Sequence, residues 1–203
     1  MTQAITIHLA TGNAHKAREM QALADASELR VFIRAAENMP AVPEDTGTFT
    51  GNAHQKAAAL RALLPPGAWV LADDSGLCVD ALDGAPGVES AYYAGPQGDY
   101  AANLRKLVAT LRGVPAELRG AQFVCVLALL GPAGPAQFFE GHCPGRLRHE
   151  PAGRGGFGYD PLFVPEGGKL TYAELDETEK NRISHRAQAW AQLAAWLRAQ
   201  RLA

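Results

Sequence analysis

Apolar residues in this chain fall into short runs separated by stretches of three-to-four-residue spacing, as strands and helices produce in alternation. Residues 4–10, Ala-Ile-Thr-Ile-His-Leu-Ala, predict a first strand. Thr11-Gly12-Asn13 breaks it, and Ala17, Met20 and Leu23 follow at helical spacing behind Asn13, a good N-cap. Residues 29–33 predict a second strand, and Pro40 and Pro43 mark a loop. A helix from Gly51 to about Leu64 is stopped by Pro65-Pro66. Ala68-Trp69-Val70-Leu71 predicts a buried strand ending at Asp73-Asp74, with Ser75-Gly76 as a turn and the apolar pattern resuming at Leu77. Residues 99–112 predict a helix with Leu104, Leu107, Val108 and Leu111 on one face. The apolar run 121–130 predicts a buried strand, and 136–140 with 145–148 the return of an antiparallel hairpin. A last helix is expected from roughly 177 to 201, packing through Trp190, Leu193 and Leu197.

At 203 residues and 47% hydrophobic content, one domain with an ample core is expected. The net charge of −2 gives no global field for a nucleic-acid polymer or an anionic membrane, so an anionic ligand would need a local cluster of cations. Cys78, Cys125 and Cys143 lack Cys-x-x-Cys spacing and are odd in number, which predicts small apolar fillers in a reducing compartment. With neither a secretory signal nor a membrane span in the pattern, the expectation is a soluble cytoplasmic protein.

Several polar groups stand at predicted element ends. Thr11, Gly12, Asn13 and Lys16 combine a glycine turn, a helix N-terminus and a cation, a small anion cradle without Walker spacing. Glu44 lies on a loop before a helix, and Asp73 and Asp74 are adjacent carboxylates that need a cation or donors to meet them. Residues 151–161 hold four glycines among Arg154, Phe157, Tyr159 and Asp160, a loop suited to close backbone approach and ring stacking. Lys180, Ser184, His185 and Arg186 sit at the start of the last helix. Each has a plainer reading: a solvated turn, a surface lysine, a flexible linker, an exposed basic helix face. Taken together, the carboxylates suit a hard cation, the lysines and the helix N-terminus suit phosphates, and the glycine–aromatic loop suits a flat base. A metal-dependent enzyme acting on a nucleotide phosphate is the joint expectation.

The chain resembles the inosine triphosphate pyrophosphatase (Ham1-like) family. The resemblance is carried by Thr11-Gly12-Asn13 with Lys16 and Glu19; by Glu44 with Gly47, Thr48-Phe49, Asn52-Ala53 and Lys56-Ala57; and by Ala72 through Leu77 with Val79 to Leu82. Gly84 to Val88, Gly155 to Phe163 and Ser184-His185-Arg186 complete it, in family order over residues 5–190. It implies an α/β fold with an elongated mixed sheet flanked by helices and two lobes with a central cleft, residues 1–203 forming one such domain in a homodimer. It implies hydrolysis of dITP, ITP and XTP to the monophosphate and pyrophosphate with Mg²⁺, or Mn²⁺ as substitute. Carried over by motif, Thr11, Gly12, Asn13, Ala14, His15 and Lys16 bind the triphosphate, Glu44 and Asp74 hold the metal, and Asp74 is the base. Ser75, Phe157, Gly158, Tyr159, Asp160, Lys180, His185 and Arg186 contact the nucleotide, the last two nearest the base. One departure is Tyr92, where the family commonly has arginine. A Maf-like pyrophosphatase for pyrimidine nucleotides and a nucleotide sensor without turnover are the competing readings. Phe157 to Asp160 with His185-Arg186 speak against the first, and the set Lys16, Glu44, Asp73 and Asp74 against the second.

Overall fold

A computed structural model describes residues 4–202. Six strands, β1 (Ile5–Leu9), β2 (Val31–Ala35), β3 (Trp69–Val79), β4 (Gly120–Leu130), β5 (Gln137–Leu147) and β6 (Phe163–Pro165), form a sheet in the order β2-β1-β3-β4-β5-β6. β1 is parallel to both β2 and β3, whereas β5 and β6 are antiparallel, so the sheet is mixed. The helices are α1 (Ala14–Ala26), α2 (Phe49–Arg61), α3 (Tyr100–Thr110), α4 (Glu177–Ile183) and α5 (His185–Ala199). This is the α/β class the sequence implies.

The chain divides into two compact units. The first runs to Asp74 and takes in Cys125–Gly141 and everything from Arg186 onward; the second comprises Ser75–Val124 and His142–His185. In the first unit, one face of the strands packs Ile7, Leu9, Leu71, Cys125 and Leu127 against Met20 and Leu23 of α1 and Trp190 and Leu193 of α5. The other face packs Val70, Ala72, Val126 and Ala128 against Ala53, Ala57 and Leu60 of α2. The alanines of α2 thus meet small strand residues, which lets that helix lie close. In the second unit, Leu77, Val79, Leu107, Leu111, Phe123, Leu162 and Phe163 form a separate core.

Side-chain caps set the helix starts. Asn13, Thr48, Asp99 and Asp176 cap α1, α2, α3 and α4 by accepting from amides of the first turn.

Three expectations are corrected. No turn interrupts β3 at Ser75-Gly76: the strand runs unbroken from Trp69 to Val79. Gly76 is there for room, since a Cβ would overlap the Gly87 carbonyl and stand 2.5 Å from Ser90 Oγ. Ser90 Oγ also accepts from the Leu77 amide at 2.9 Å, so the segment Gly87–Tyr92 lies tight on this stretch. The hairpin return is one eleven-residue strand, β5, through Pro144. The last helix is two helices, because buried Ser184 adopts an extended backbone (φ −67°, ψ 157°) and re-aims the chain after Ile183.

Candidate active site

Asp73 and Asp74 are successive residues of an extended strand, so their side chains leave it on opposite faces. The packing follows the same alternation. Leu71 belongs to the α1/α5 face with Cys125, and Val70 and Ala72 to the α2 face with Val126. The acidic pair therefore makes two centres in the first unit.

On the α1/α5 face, Asp73 Oδ1 accepts from Lys16 Nζ at 2.5 Å, and Oδ2 accepts from Arg186 Nε at 2.8 Å. Cys125 Sγ donates to the same Oδ2 at 3.2 Å. Arg186 also pairs through Nη1 with Glu19 of α1. Burial alone would raise the Asp73 carboxyl, but Arg186 and Lys16 outweigh it and hold the group well below the usual carboxylate range. The same balance holds Lys16 above its ordinary value: burial lowers it, and Asp73 wins. The Cys125 thiol is pushed well up by burial and then by Asp73, so it stays protonated and donating. Cys125 is thus a polar partner of Asp73, where the sequence reading had a filler. All three cysteines are free.

The start of α1 is built for this. Thr11 Oγ1 accepts from the Asn13 amide at 3.1 Å, and Asn13 Oδ1 accepts from the amides of His15 at 3.0 Å and Lys16 at 3.3 Å. Gly12 faces open space, Ala14 opens the helix, and His15 Nδ1 accepts from Arg18 at 2.8 Å.

On the α2 face, Lys56 Nζ lies 2.5 Å from Asp74 Oδ1 and 3.2 Å from Glu44 Oε2. Glu44 and Asp74 thus converge on one positive charge, which in this chain is an ammonium. The loop carrying Glu44 is pinned to α2, because buried Asn52 Oδ1 accepts from Thr46 Oγ1 at 2.7 Å and from its amide at 3.2 Å. Asp74 Oδ2 is buried with no hydrogen-bond partner. Burial pushes the Asp74 carboxyl up to about 6, against the pull of Lys56 and Lys16 and with a further push from Glu44. An unsatisfied carboxylate oxygen beside a second carboxylate fits a hard cation that takes one or two protein carboxylates and completes its shell elsewhere. Among the described residues, no group of three or more His, Cys, Asp or Glu is placed to hold a metal ion.

The remaining candidates belong to the second unit. Ser75 follows Asp74 in β3 and is half-buried. Asp160 organises the glycine-rich loop: its Oδ2 accepts from the Phe157 amide at 2.8 Å and from Lys180 Nζ at 2.7 Å. Gly156 and Gly158 hold left-handed φ of 66° and 62°, which shapes the loop around that carboxylate. Lys180 Nζ stands 5.1 Å above the Phe157 ring and 5.5 Å above Tyr172. Tyr159 is buried and donates to Ser90 O at 2.9 Å. His185 stacks on Phe123 at 4.8 Å and 12°. Lys180, His185 and Arg186 are all nearly fully buried, so they form no exposed basic face. Tyr92, the noted departure from the family pattern, is 45% exposed and brings no charge.

Lys56 was missed as a site residue. Its signal was its place four residues after Asn52, on the helix following Glu44.

Fold and side chains together define an α/β protein with two buried carboxylate–cation centres back to back on one strand, and a lysine–aromatic loop in its second unit. A model of the Ham1 family matches residues 7–196. The dITP/XTP pyrophosphatase of Opitutus terrae is 60% identical over 197 residues, covering 94% of this chain and 97% of that one. Among solved structures, a HAM1 protein from Coxiella burnetii superposes with a TM-score of 0.83 at 37% identity, covering 96% of this chain and 99% of that one. The nucleoside-triphosphatase / dITP/XTP pyrophosphatase of Mycobacterium abscessus gives 0.72 at 42% identity, covering 93% and 98%. The chain belongs to the Ham1 family.

Proposed function

We propose that this protein is a divalent-metal-dependent pyrophosphatase that hydrolyses dITP, ITP and XTP to the monophosphate and pyrophosphate, cleansing the nucleotide pool. The observation that carries the reading is the α2-face centre. There Glu44 and Asp74 share one positive charge while Asp74 Oδ2 is left buried and unpaired.

Glu44 and Asp74 would hold the cation, Mg²⁺ with Mn²⁺ as substitute, which when bound neutralises phosphate charge and acidifies water. Asp74 is placed to take a proton, its carboxyl raised by burial in the metal-free protein. A water oxygen bonds to the α-phosphorus, the α–β bridging bond breaks, its electron pair leaves with pyrophosphate, and the water proton passes to Asp74. Lys16 and the N-terminus of α1, with Thr11 to His15, stabilise the triphosphate charge. Arg186 and His185 are assigned to the base, and Ser75, Phe157 to Asp160 and Lys180 to the rest of the nucleotide. The 6-oxo group of hypoxanthine or xanthine accepts hydrogen bonds where adenine's 6-amino group donates, so donors such as Arg186 favour the oxo purines. The two units serve as lobes of one functional domain. A cytoplasmic homodimer is the expected working form; among the described residues no helix is long and apolar enough to cross a membrane.

The test is pyrophosphate release from dITP in the presence of Mg²⁺ and of EDTA. Release that needs the metal is expected. Release of orthophosphate instead, or turnover of dTTP and UTP in preference to dITP, would overturn the assignment.

A further inference from the structure

We propose that Asp73 is the positioning residue for both Lys16 and Arg186, fixing the cation assigned to the phosphates and the one assigned to the base on a single carboxylate. The proposal rests on the functional reading above. Asp73 itself has neither the metal nor the proton to handle, since each of its oxygens is already engaged. Oδ1 faces Lys16 Nζ at 2.5 Å, and Oδ2 faces Arg186 Nε at 2.8 Å and Cys125 Sγ at 3.2 Å. Its side chain is 1% exposed, as is that of Arg186, while Lys16 keeps 15% of its surface open. The carboxylate therefore ties down the ammonium of a side chain that is not wholly enclosed. It also ties the Nε edge of a guanidinium whose Nη1 is held by Glu19. Three elements that meet nowhere in sequence, α1, β3 and α5, are registered to one another by these contacts.

The donor inventory makes the claim testable. A carboxylate offers acceptors on both oxygens, so it serves Lys16 on one side and Arg186 on the other. An amide of the same shape offers one acceptor and one donor, and must turn its NH₂ toward one of the two cations. Asp73→Asn thus releases Lys16 or Arg186 without changing the volume of the site. A buried ion network kept only for stability would lower the melting temperature and nothing else.

Binding of inorganic tripolyphosphate and the ratio of kcat/KM for dITP over dATP are to be measured on the full chain, for wild type, Asp73→Asn, Lys16→Ala and the double variant. In Asp73→Asn, tripolyphosphate binding should weaken, or the dITP preference fall, by tenfold or more. Where the phosphate arm is the one released, the same substitution should change tripolyphosphate binding less than threefold in the Lys16→Ala background. The proposal is overturned if folded Asp73→Asn keeps both quantities within twofold of wild type. Where tripolyphosphate affinity falls tenfold or more, an equal loss in the Lys16→Ala background overturns it as well. Should Asp73→Asn not fold, Asp73→Glu keeps the charge and moves the carboxylate by one methylene, and the same limits apply to it. Wild-type protein that binds tripolyphosphate but leaves dITP intact would refute the pyrophosphatase reading alone, because the Lys16 arm is still read by binding.

Discussion

Replacing Lys56 by methionine is the sharpest probe of the α2-face centre. The substitution keeps much of the side chain's apolar length and removes the ammonium. In the native chain that ammonium is 2.5 Å from Asp74 and 3.2 Å from Glu44, with side-chain exposures of 11%, 5% and 26% for Lys56, Asp74 and Glu44. Without it, two carboxylates share a poorly hydrated space and no cation stands between them. Removing one partner of a buried pair costs about 3–5 kcal/mol. For a chain of this size each kcal/mol moves the melting temperature by about 2–4 °C, so a fall of roughly 6–20 °C is expected in EDTA. A divalent cation bound by the same carboxylates should recover part of that loss, about 2.7 kcal/mol at a hundred times its dissociation constant. Thermal scans of wild type and Lys56→Met, each in EDTA and in Mg²⁺, read both effects. An unchanged melting temperature in EDTA would show that Lys56 does not neutralise the pair. A Mg²⁺ shift no larger in the variant than in wild type would show that Glu44 and Asp74 are not the metal's ligands.

Asp74→Asn should lower kcat on dITP by about 10²–10⁴-fold while nucleotide still binds. Metal-free thermal scans give it a second reading. The folded Asp74 value of about 6 lies above the unfolded carboxyl value of about 3.9, so its contribution to stability is fully present below pH 4 and is lost as pH rises through 6. The variant should lack that decline, and an identical pH slope in EDTA would refute the assignment. Asn52→Ala removes the acceptor that holds Thr46, so the loop bearing Glu44 loosens, and a Mg²⁺ titration followed by melting temperature should need more metal; an unshifted midpoint would count against it. Gly76→Ala drives a Cβ into the Gly87 carbonyl and should cost about 1–3 kcal/mol by denaturant unfolding, which a neutral result would contradict.

Much of the fold was legible because its signals are local. Asn13 advertises a helix start through a side chain that can reach its own amides, and the apolar run 121–130 is too continuous and too short for anything but a buried strand. The misses at the acidic stretch have one cause: the deciding partner is far away in sequence. Asp73-Asp74-Ser75-Gly76 reads as a turn because charge and glycine disfavour strands, yet Lys16, Arg186 and Lys56 neutralise the charges, and the Gly87–Tyr92 segment fills the space over the glycine. The helix break at Ser184 has no proline or glycine to announce it. Lys56 sits in an alanine-rich helix, where a lysine ordinarily faces water. Of the candidate site, the residue types were legible; the pairing of Glu44 with Asp74 came from the resemblance, and neither Lys56 between them nor the shared contact of Lys16 and Arg186 with Asp73 was read from the sequence. That these are two centres on opposite faces follows only once β3 is known to be unbroken.

The alternation along β3 also guards the chemistry against error. Sliding that strand by a single position would turn Asp73 to the α2 face and Asp74 to the α1/α5 face, so neither acid would keep its own lysine. The same slip would thrust Leu71 into the thin alanine layer over α2 and leave Ala72 in the space Leu71 fills under α1 and α5. Bulk beside the acids therefore proofreads which of them does which job, and mutations that even out the sizes of residues 70–72 should blur catalysis before they unfold the protein.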